Sequence, residues 1–285
     1  MRLVLFGAGY CSKFILPLIP ISWKIIGTHK KKPNNENKVE KYNIERYSFS
    51  DFIKNKKSLL NGVTHILNSI PPNETGDIVL KEICEILKDS NKIKWIGYFS
   101  TTGVYGDHDG NWVNETSELK TKVIRSKNRI KAESQYLELY KKNNLPVHIF
   151  RLPGIYGPNR SVLDRIKNKN IKIIKKENQF FSRVHVKDIA TCIKMSMDSP
   201  TPGEIYNVSD DYPCSTQELI TYGCNLIGYK VPEEISFHDK SINEMTKSFY
   251  LENKKISNKK IKEKIGWKPK FKDFKEGLDD IFNTF

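Results

Sequence analysis

The chain has 285 residues, 38% hydrophobic and 28% charged, and its 48 Lys and Arg outnumber 33 Asp and Glu to give a net charge of +15. A chain of this length and apolar content buries a core unaided, which excludes intrinsic disorder and a disulfide- or metal-stapled mini-domain and leaves one or two domains. Five scattered cysteines with no Cys-x-x-Cys pair argue against a zinc module and for a reducing, cytoplasmic setting.

No apolar run approaches the ~20 residues of a membrane helix, so no membrane partner is expected. The lysines are spread along the chain beside Asn and Ile rather than interleaved with aromatics. They read as a solvated surface rather than a nucleic-acid face. The expected partners are a small-molecule substrate and, at most, a second copy, so the chain is a monomer or a homodimer.

Residues 1–6 form an apolar run without alternation, the pattern of a strand buried on both faces of a parallel sheet. Gly7-Ala8-Gly9 ends it, and helical spacing follows over 10–19, with Pro17 expected to end or kink that helix. Further strands are predicted at 23–28, 63–69, 93–100 and 146–152, with helices over 74–90 and 118–143. Strands alternating with helices at this spacing predict an α/β fold, a Rossmann-type doubly wound parallel sheet. Beyond Gly157-Pro158 the pieces shorten: a helix over 159–168, extended segments at 171–174, 181–186 and 205–208, and a helix over 189–197 capped by Asp188. Ser215 and Glu218 predict a capping box before a helix ending near Gly228, and a last small helix precedes Gly266-Trp267. The expected organisation is a dinucleotide-binding domain over 1–157, with 181–210 returning to it, and a small C-terminal α/β substrate-binding part from the remaining segments of 158–285.

Gly7-Ala8-Gly9-Tyr10-Cys11-Ser12 follows the first strand and opens the first helix. In that context Gly7 permits a tight turn, Gly9 lets the backbone approach a pyrophosphate, and the helix N-terminus offers N–H groups to it. Gly7, Gly9, Tyr10 and Ser12 are therefore cofactor-binding candidates, with Ser12 in the place of a third glycine. At the end of the second strand, where an NAD site carries a carboxylate for the ribose 2′-hydroxyl, stand Thr28, His29 and Lys30, followed by Lys31 and Lys32. Positive charge there favours a 2′-phosphate, so NADP is the expected cofactor, with NAD as the alternative.

Gly7-x-Gly9, Asn68-Ser69-Ile70-Pro71-Pro72, Ser100-Thr101-Thr102-Gly103-Val104-Tyr105-Gly106-Asp107, Arg151-Leu152-x-x-x-Tyr156-Gly157-Pro158-x-Arg160 and Arg183-Val184-His185-Val186-x-Asp188 resemble the extended short-chain dehydrogenase/reductases, the NAD(P)-dependent epimerase/dehydratases. Tyr206-Asn207-Val208 and Gly266-Trp267-x-Pro269 extend the likeness nearly to the C-terminus. The resemblance implies Ser69 and Pro71 beside the cofactor, Thr102 beside the substrate and Thr101 as the hydroxyl that polarises the substrate oxygen. It also implies a Tyr-x-x-x-Lys pair on the long helix, and there the sequence departs from the family. Counting back from Ala132-Glu133 puts Arg125 in the tyrosine's place and Arg129 in the lysine's, while a second register through Ser126-Lys127 leaves Val123 in place of the tyrosine.

Arg125 and Arg129 lie one helical turn apart and can hold anions, but a guanidinium does not exchange protons near neutral pH. The remaining candidates are Tyr105 as a catalytic donor, Arg129 on the cofactor, and Arg125, Arg160 and Arg183 gripping an anionic substrate. Tyr105 also fits a packing role under its turn. The expected activity is that of an atypical NAD(P)-dependent oxidoreductase or epimerase acting on a small polar, sugar-nucleotide-like substrate. The alternative is a non-catalytic dinucleotide sensor or scaffold.

Overall fold

The structure is a computed structural model that describes residues 1–30, 44–169 and 171–284. Two compact units emerge, the first from Met1–Thr101, Ile124–Arg151 and Ile189–Tyr206, the second from Thr102–Val123, Leu152–Asp188 and Asn207–Phe285. The first unit runs through β1 (Arg2–Phe6), α1 (Tyr10–Ile15), β2 (Lys24–His29), β3 (Ile44–Ser48), α2 (Phe49–Lys54), α3 (Lys56–Leu60), β4 (His65–Asn68), α4 (Ile78–Lys88) and β5 (Trp95–Thr101). After β6 (Trp112–Val113) it resumes with α5 (Ile124–Asn143) and β7 (Val147–Leu152). The chain then passes through β8 (Gly154–Tyr156), α6 (Val162–Lys167), β9 (Ile173–Lys175) and β10 (Arg183–His185) before α7 (Val186–Asp198) and β11 (Ile205–Asn207) close the sheet. It ends with α8 (Thr216–Ile227), β12 (Glu234–Ser236), α9 (Glu244–Tyr250), β13 (Lys255–Ile256), α10 (Lys259–Ile265) and α11 (Phe274–Phe282).

The expected doubly wound α/β sheet is present. Among the described residues seven strands take the order β11-β7-β5-β4-β1-β2-β3, parallel in every pairing from β5 to β3. The strands read from apolar runs are the central ones: Leu3, Val4, Ile26, Ile66, Ile96, Val147 and Ile149 are at most 2% exposed. On either side of β1 stand β2 and β4, so the chain reverses its winding there, and the carboxyl ends of those strands are where open α/β sheets bind ligands.

Several boundaries differ from the sequence expectation for local reasons. The helix expected over 74–90 begins at Ile78, because Asp77 caps it by accepting from the N–H groups of Val79 and Leu80. Pro17 stops α1 after Ile15 and leads a 3₁₀ turn, Leu16–Leu18. At the other end, α7 already begins at Val186; Asp188 sits in its first turn, and its carboxylate accepts from the backbone N–H of Lys270 and Phe271 instead of capping. The domain boundaries shift too, since 102–123 and 152–157 join the second unit and only 189–206 of the returning segment joins the first.

On β7, beside β5, stands a buried histidine with a defined protonation. His148 Nδ1 is 3.3 Å from Ile96 O, and Nε2 accepts from the Thr201 N–H at 2.9 Å. A carbonyl only accepts and an N–H only donates, so the proton sits on Nδ1 and the ring is neutral. Burial pushes its pKa down to about 4. The unfolded imidazole takes a proton near pH 6.5, so as pH falls from about 6.5 to about 4 this residue lowers stability, by up to about 3 kcal/mol once below both values. Ring-nitrogen NMR should show a neutral Nδ1–H tautomer at pH 5.5; an imidazolium signal there would contradict this assignment.

The second unit pairs β8 with β10, β9 with β12 and β6 with β13. Its core is Val162, Leu163 and Ile166 of α6 against Ile220 and Cys224 of α8 and Phe274, Leu278 and Ile281 of α11. Trp267 is fully buried, and Gly266 before it takes the left-handed conformation that ends α10.

Candidate functional site

The turn after β1 is built for close approach. Gly7 has φ +79°, and a Cβ on it would stand 2.7 Å from Ser69 Oγ, so both backbone and space demand glycine. Gly9 differs: its φ is −102°, and among the described residues a Cβ there would meet only Gly7 O, at 3.8 Å. The described residues leave that space open, as a cradle for a pyrophosphate requires. No side chain caps Gly9 and no acidic residue stands in the first turn of α1, and both features suit an anion. Ser12 is buried where a third glycine would pack, while Tyr10 is half-buried with its ring edge-on to Phe14.

Two hydroxyls hold this turn. Thr28, fully buried at the end of β2, accepts from the Gly7 N–H on Oγ1 (3.1 Å) and from the Ala8 N–H on its carbonyl (2.8 Å). Ser69 Oγ, at the end of β4, lies 3.1 Å from Phe6 O and 2.8 Å from Gly7 O and donates to them. Thr28 and Ser69, expected beside the cofactor, thus brace the glycine turn from below, and Pro71 is exposed just beyond.

The end of β2 carries His29, half-buried, and Lys30, exposed; Lys31 and Lys32 lie outside the described residues. Arg46 of β3 donates from Nη1 to His29 Nε2 at 3.3 Å. Burial first, and the Arg46 charge second, hold the His29 pKa below its usual value. Arg46 escaped the sequence reading because the edge strand that presents it, Ile-Glu-Arg-Tyr-Ser, has no apolar run.

At the end of β5, Thr101 is half-buried and Ser100 is buried. Helix α5 lies against this strand through arginine rather than lysine. Arg129 Nη1 donates to Tyr98 Oη (3.0 Å) and to Phe99 O, and its guanidinium stands 5.6 Å from the Tyr98 ring centre. Burial raises the Tyr98 hydroxyl above the usual phenol range, against the opposing charge of Arg129. One turn earlier Arg125 is exposed, as is Lys127, whereas Ser126 is buried. Four residues beyond Arg129, buried Glu133 accepts from Ser100 Oγ at 2.5 Å and from Arg151 Nε and Nη2 at 3.0 and 2.7 Å. Arg151, at the end of β7, is thus the buried ion-pair partner of Glu133.

The second-unit candidates are placed as follows. Thr102 is 7% exposed and opens the 3₁₀ turn Thr102–Tyr105. Tyr105 is fully buried, and its hydroxyl donates to Asn207 Oδ1 at 2.7 Å, a brace rather than a proton donor to substrate. Arg160 is exposed on the turn begun by Gly157. Arg183 is buried, with Nη1 donating to Phe181 O and Cys214 Sγ, both at 2.9 Å.

Residues 71–209 match the NAD dependent epimerase/dehydratase family. Among curated proteins, none matches the sequence. A functionally unknown conserved protein from Silicibacter pomeroyi is 38% identical, with a TM-score of 0.91 over 99% of this chain and 98% of its own. dTDP-glucose 4,6-dehydratase from Bacillus anthracis in complex with NAD is 20% identical, with a TM-score of 0.80 over 99% of this chain and 96% of its own. UDP-glucuronic acid 4-epimerase from Bacillus cereus in complex with NAD is 16% identical, with a TM-score of 0.80 over the same shares. The last two share the fold at identities too low to carry activity across. The glycine turn on a doubly wound sheet, the family match and a 38% identical relative along the whole chain together make this protein a member of the NAD-dependent epimerase/dehydratase family, the extended short-chain dehydrogenase/reductases.

Proposed function

We propose that the chain is an NADP(H)-preferring oxidoreductase or epimerase with an altered catalytic site, acting on a small polar, sugar-nucleotide-like substrate. The observation that carries this is the glycine turn: Thr28 and Ser69 fix its backbone while the described residues leave the space above Gly9 open. The dinucleotide, when bound, supplies hydride transfer. Gly7 to Ser12 hold its pyrophosphate, and the end of β2 meets its adenosine ribose.

Thr101 offers its hydroxyl to the substrate oxygen. Arg129, tied to β5 through Phe99 O, brings fixed positive charge to the same strand end. Arg125, exposed one turn away, is the group for an anionic portion of the substrate. Neither arginine accepts a proton near neutral pH, so the proton passes to or from water, while the Thr101 hydroxyl donates a hydrogen bond to the substrate oxygen. Such a site suits a substrate that is already polarised or carries an acidic C–H.

The test is dinucleotide and ligand identification by mass spectrometry of the purified protein, followed by turnover with the substrates so found. Thr101→Val should slow turnover on the order of tenfold, the loss of one transition-state hydrogen bond, with cofactor affinity unchanged. Arg125→Ala should raise KM more than it lowers kcat. Tight dinucleotide binding with no turnover of any co-purified ligand would instead favour a sensor, and absence of dinucleotide binding would end both readings.

A further inference from the structure

We infer that Arg46, on the edge strand β3, is the residue that selects the dinucleotide's 2′-phosphate, and that His29 positions its guanidinium for the task. The inference rests on the proposal that an NADP(H)-type dinucleotide occupies the glycine turn. In the parallel register of β2 and β3, Gly27 is the partner of Arg46 and Thr28 that of Tyr47. Gly27 and His29 share one face of β2 because side chains alternate along a strand. That face is the one that meets the glycine turn: a Cβ on Gly27 would lie 3.0 Å from Ala8 Cβ and 3.8 Å from His29 Nε2. The missing side chain at Gly27 leaves Arg46 room to lean along the strand to His29 Nε2, 3.3 Å away.

The charge of this corner follows from the same alternation. Glu45 and Tyr47 belong to the opposite face of β3, where the Tyr47 hydroxyl donates to Glu45 Oε2. Asp51 is taken up at the start of α2, where it accepts from Ser48 Oγ at 2.7 Å. The face beside Ala8 carries His29 and Arg46, with Lys30 exposed after them. An arginine can only donate, so His29 Nε2 accepts and the ring is neutral in this contact. Neutral histidine is thus an orienting group, and the permanent charge is that of Arg46, whose planar fork matches a phosphate with two parallel hydrogen bonds. A ribose 2′-hydroxyl, by contrast, finds no carboxylate on this face among the described residues.

The experiment is calorimetric titration of the whole chain with four probes: 2′,5′-ADP, 5′-AMP, NADPH and NADH. The wild-type protein should bind 2′,5′-ADP and NADPH about ten- to hundredfold more tightly than 5′-AMP and NADH, the range of one or two charge-assisted hydrogen bonds. Arg46→Ala should remove at least tenfold of that preference and leave 5′-AMP and NADH within about twofold, which also shows that the variant is folded. Arg46→Lys should recover only part of the loss, because an ammonium is a point charge and not a fork. His29→Ala should weaken the phosphorylated probes by a smaller factor, and His29→Gln, whose amide oxygen also accepts from a guanidinium, should restore them.

Each failure has its own meaning. A wild type that does not discriminate would sink the NADP(H) reading and this inference with it. A wild type that discriminates while Arg46→Ala still does would leave the reading intact and overturn the role of Arg46. Equal weakening of all four probes by Arg46→Ala would make Arg46 a structural residue of the edge strand. Failure of His29→Gln to restore what His29→Ala loses would remove the positioning role of His29.

Discussion

Replacing Glu133 by alanine should destabilise the protein by about 3–5 kcal/mol, the cost of stranding a buried charge. Glu133 and Arg151 side chains are 4% and 2% exposed, and the carboxylate takes two hydrogen bonds from the guanidinium and one from Ser100. Truncation leaves the buried Arg151 guanidinium without that counter-charge and removes the acceptor of the Ser100 hydroxyl beside Thr101. Glu133→Gln keeps an acceptor for each partner but removes the charge, so its loss should be smaller. Exchanging both residues for apolar ones should restore much of the stability lost in Glu133→Ala, because neither charge is then stranded. Urea unfolding of the three variants makes the comparison; a loss below about 1 kcal/mol in Glu133→Ala would show that the Arg151 charge is balanced without Glu133.

Gly9→Val should reduce dinucleotide affinity at least about a hundredfold, equivalent to ~3 kcal/mol, while the protein stays folded. The two halves of this expectation have separate grounds. Gly9 has a negative φ, and a Cβ there meets no atom of the described residues beyond its chain neighbours closer than 3.8 Å, so the fold tolerates a side chain. The same open space is where the pyrophosphate must approach the backbone, so the valine methyls would occupy it. Gly7 behaves in the opposite way: its φ is +79° and an added methyl would stand 2.7 Å from Ser69 Oγ, so Gly7→Ala should lose stability first. Calorimetry with NADPH beside thermal unfolding separates the two, and unchanged affinity in Gly9→Val would remove the glycine turn as the cofactor's seat.

Local pattern made the glycine turn and the central strands readable, because a strand buried on both faces must be apolar throughout and the turn after it must bend. The cap of α8 was readable for a similar reason: Ser215 accepts from the Glu218 N–H as their spacing implied, whereas the reciprocal capping box stands at Ser161 and Asp164 of α6, where the sequence reading placed none. Edge and late elements were not. β3 is exposed along part of its length, so Glu45, Arg46 and Tyr47 replace the apolar run that would have marked it. α11, beyond Trp267, packs on α8 from the far end of the sequence, and nothing in its neighbouring residues announces that partner.

The candidate site divides along the same line. Residue type and spacing alone put arginines at 125 and 129 on one face of a helix, set glycines at 7 and 9, and left the end of β2 without a carboxylate, since these are statements about neighbours in the chain. Which of those side chains turns inward was decided by the fold. Arg129 reaches Phe99 O while Arg125 is exposed, Tyr105 is sealed against Asn207, and Arg151 is matched to Glu133. Arg46 meets His29 only because parallel pairing of β2 with β3 aligns residues far apart in sequence. Burial and strand register set these partners, and both arise from packing that brings distant segments together, so no local pattern encodes them.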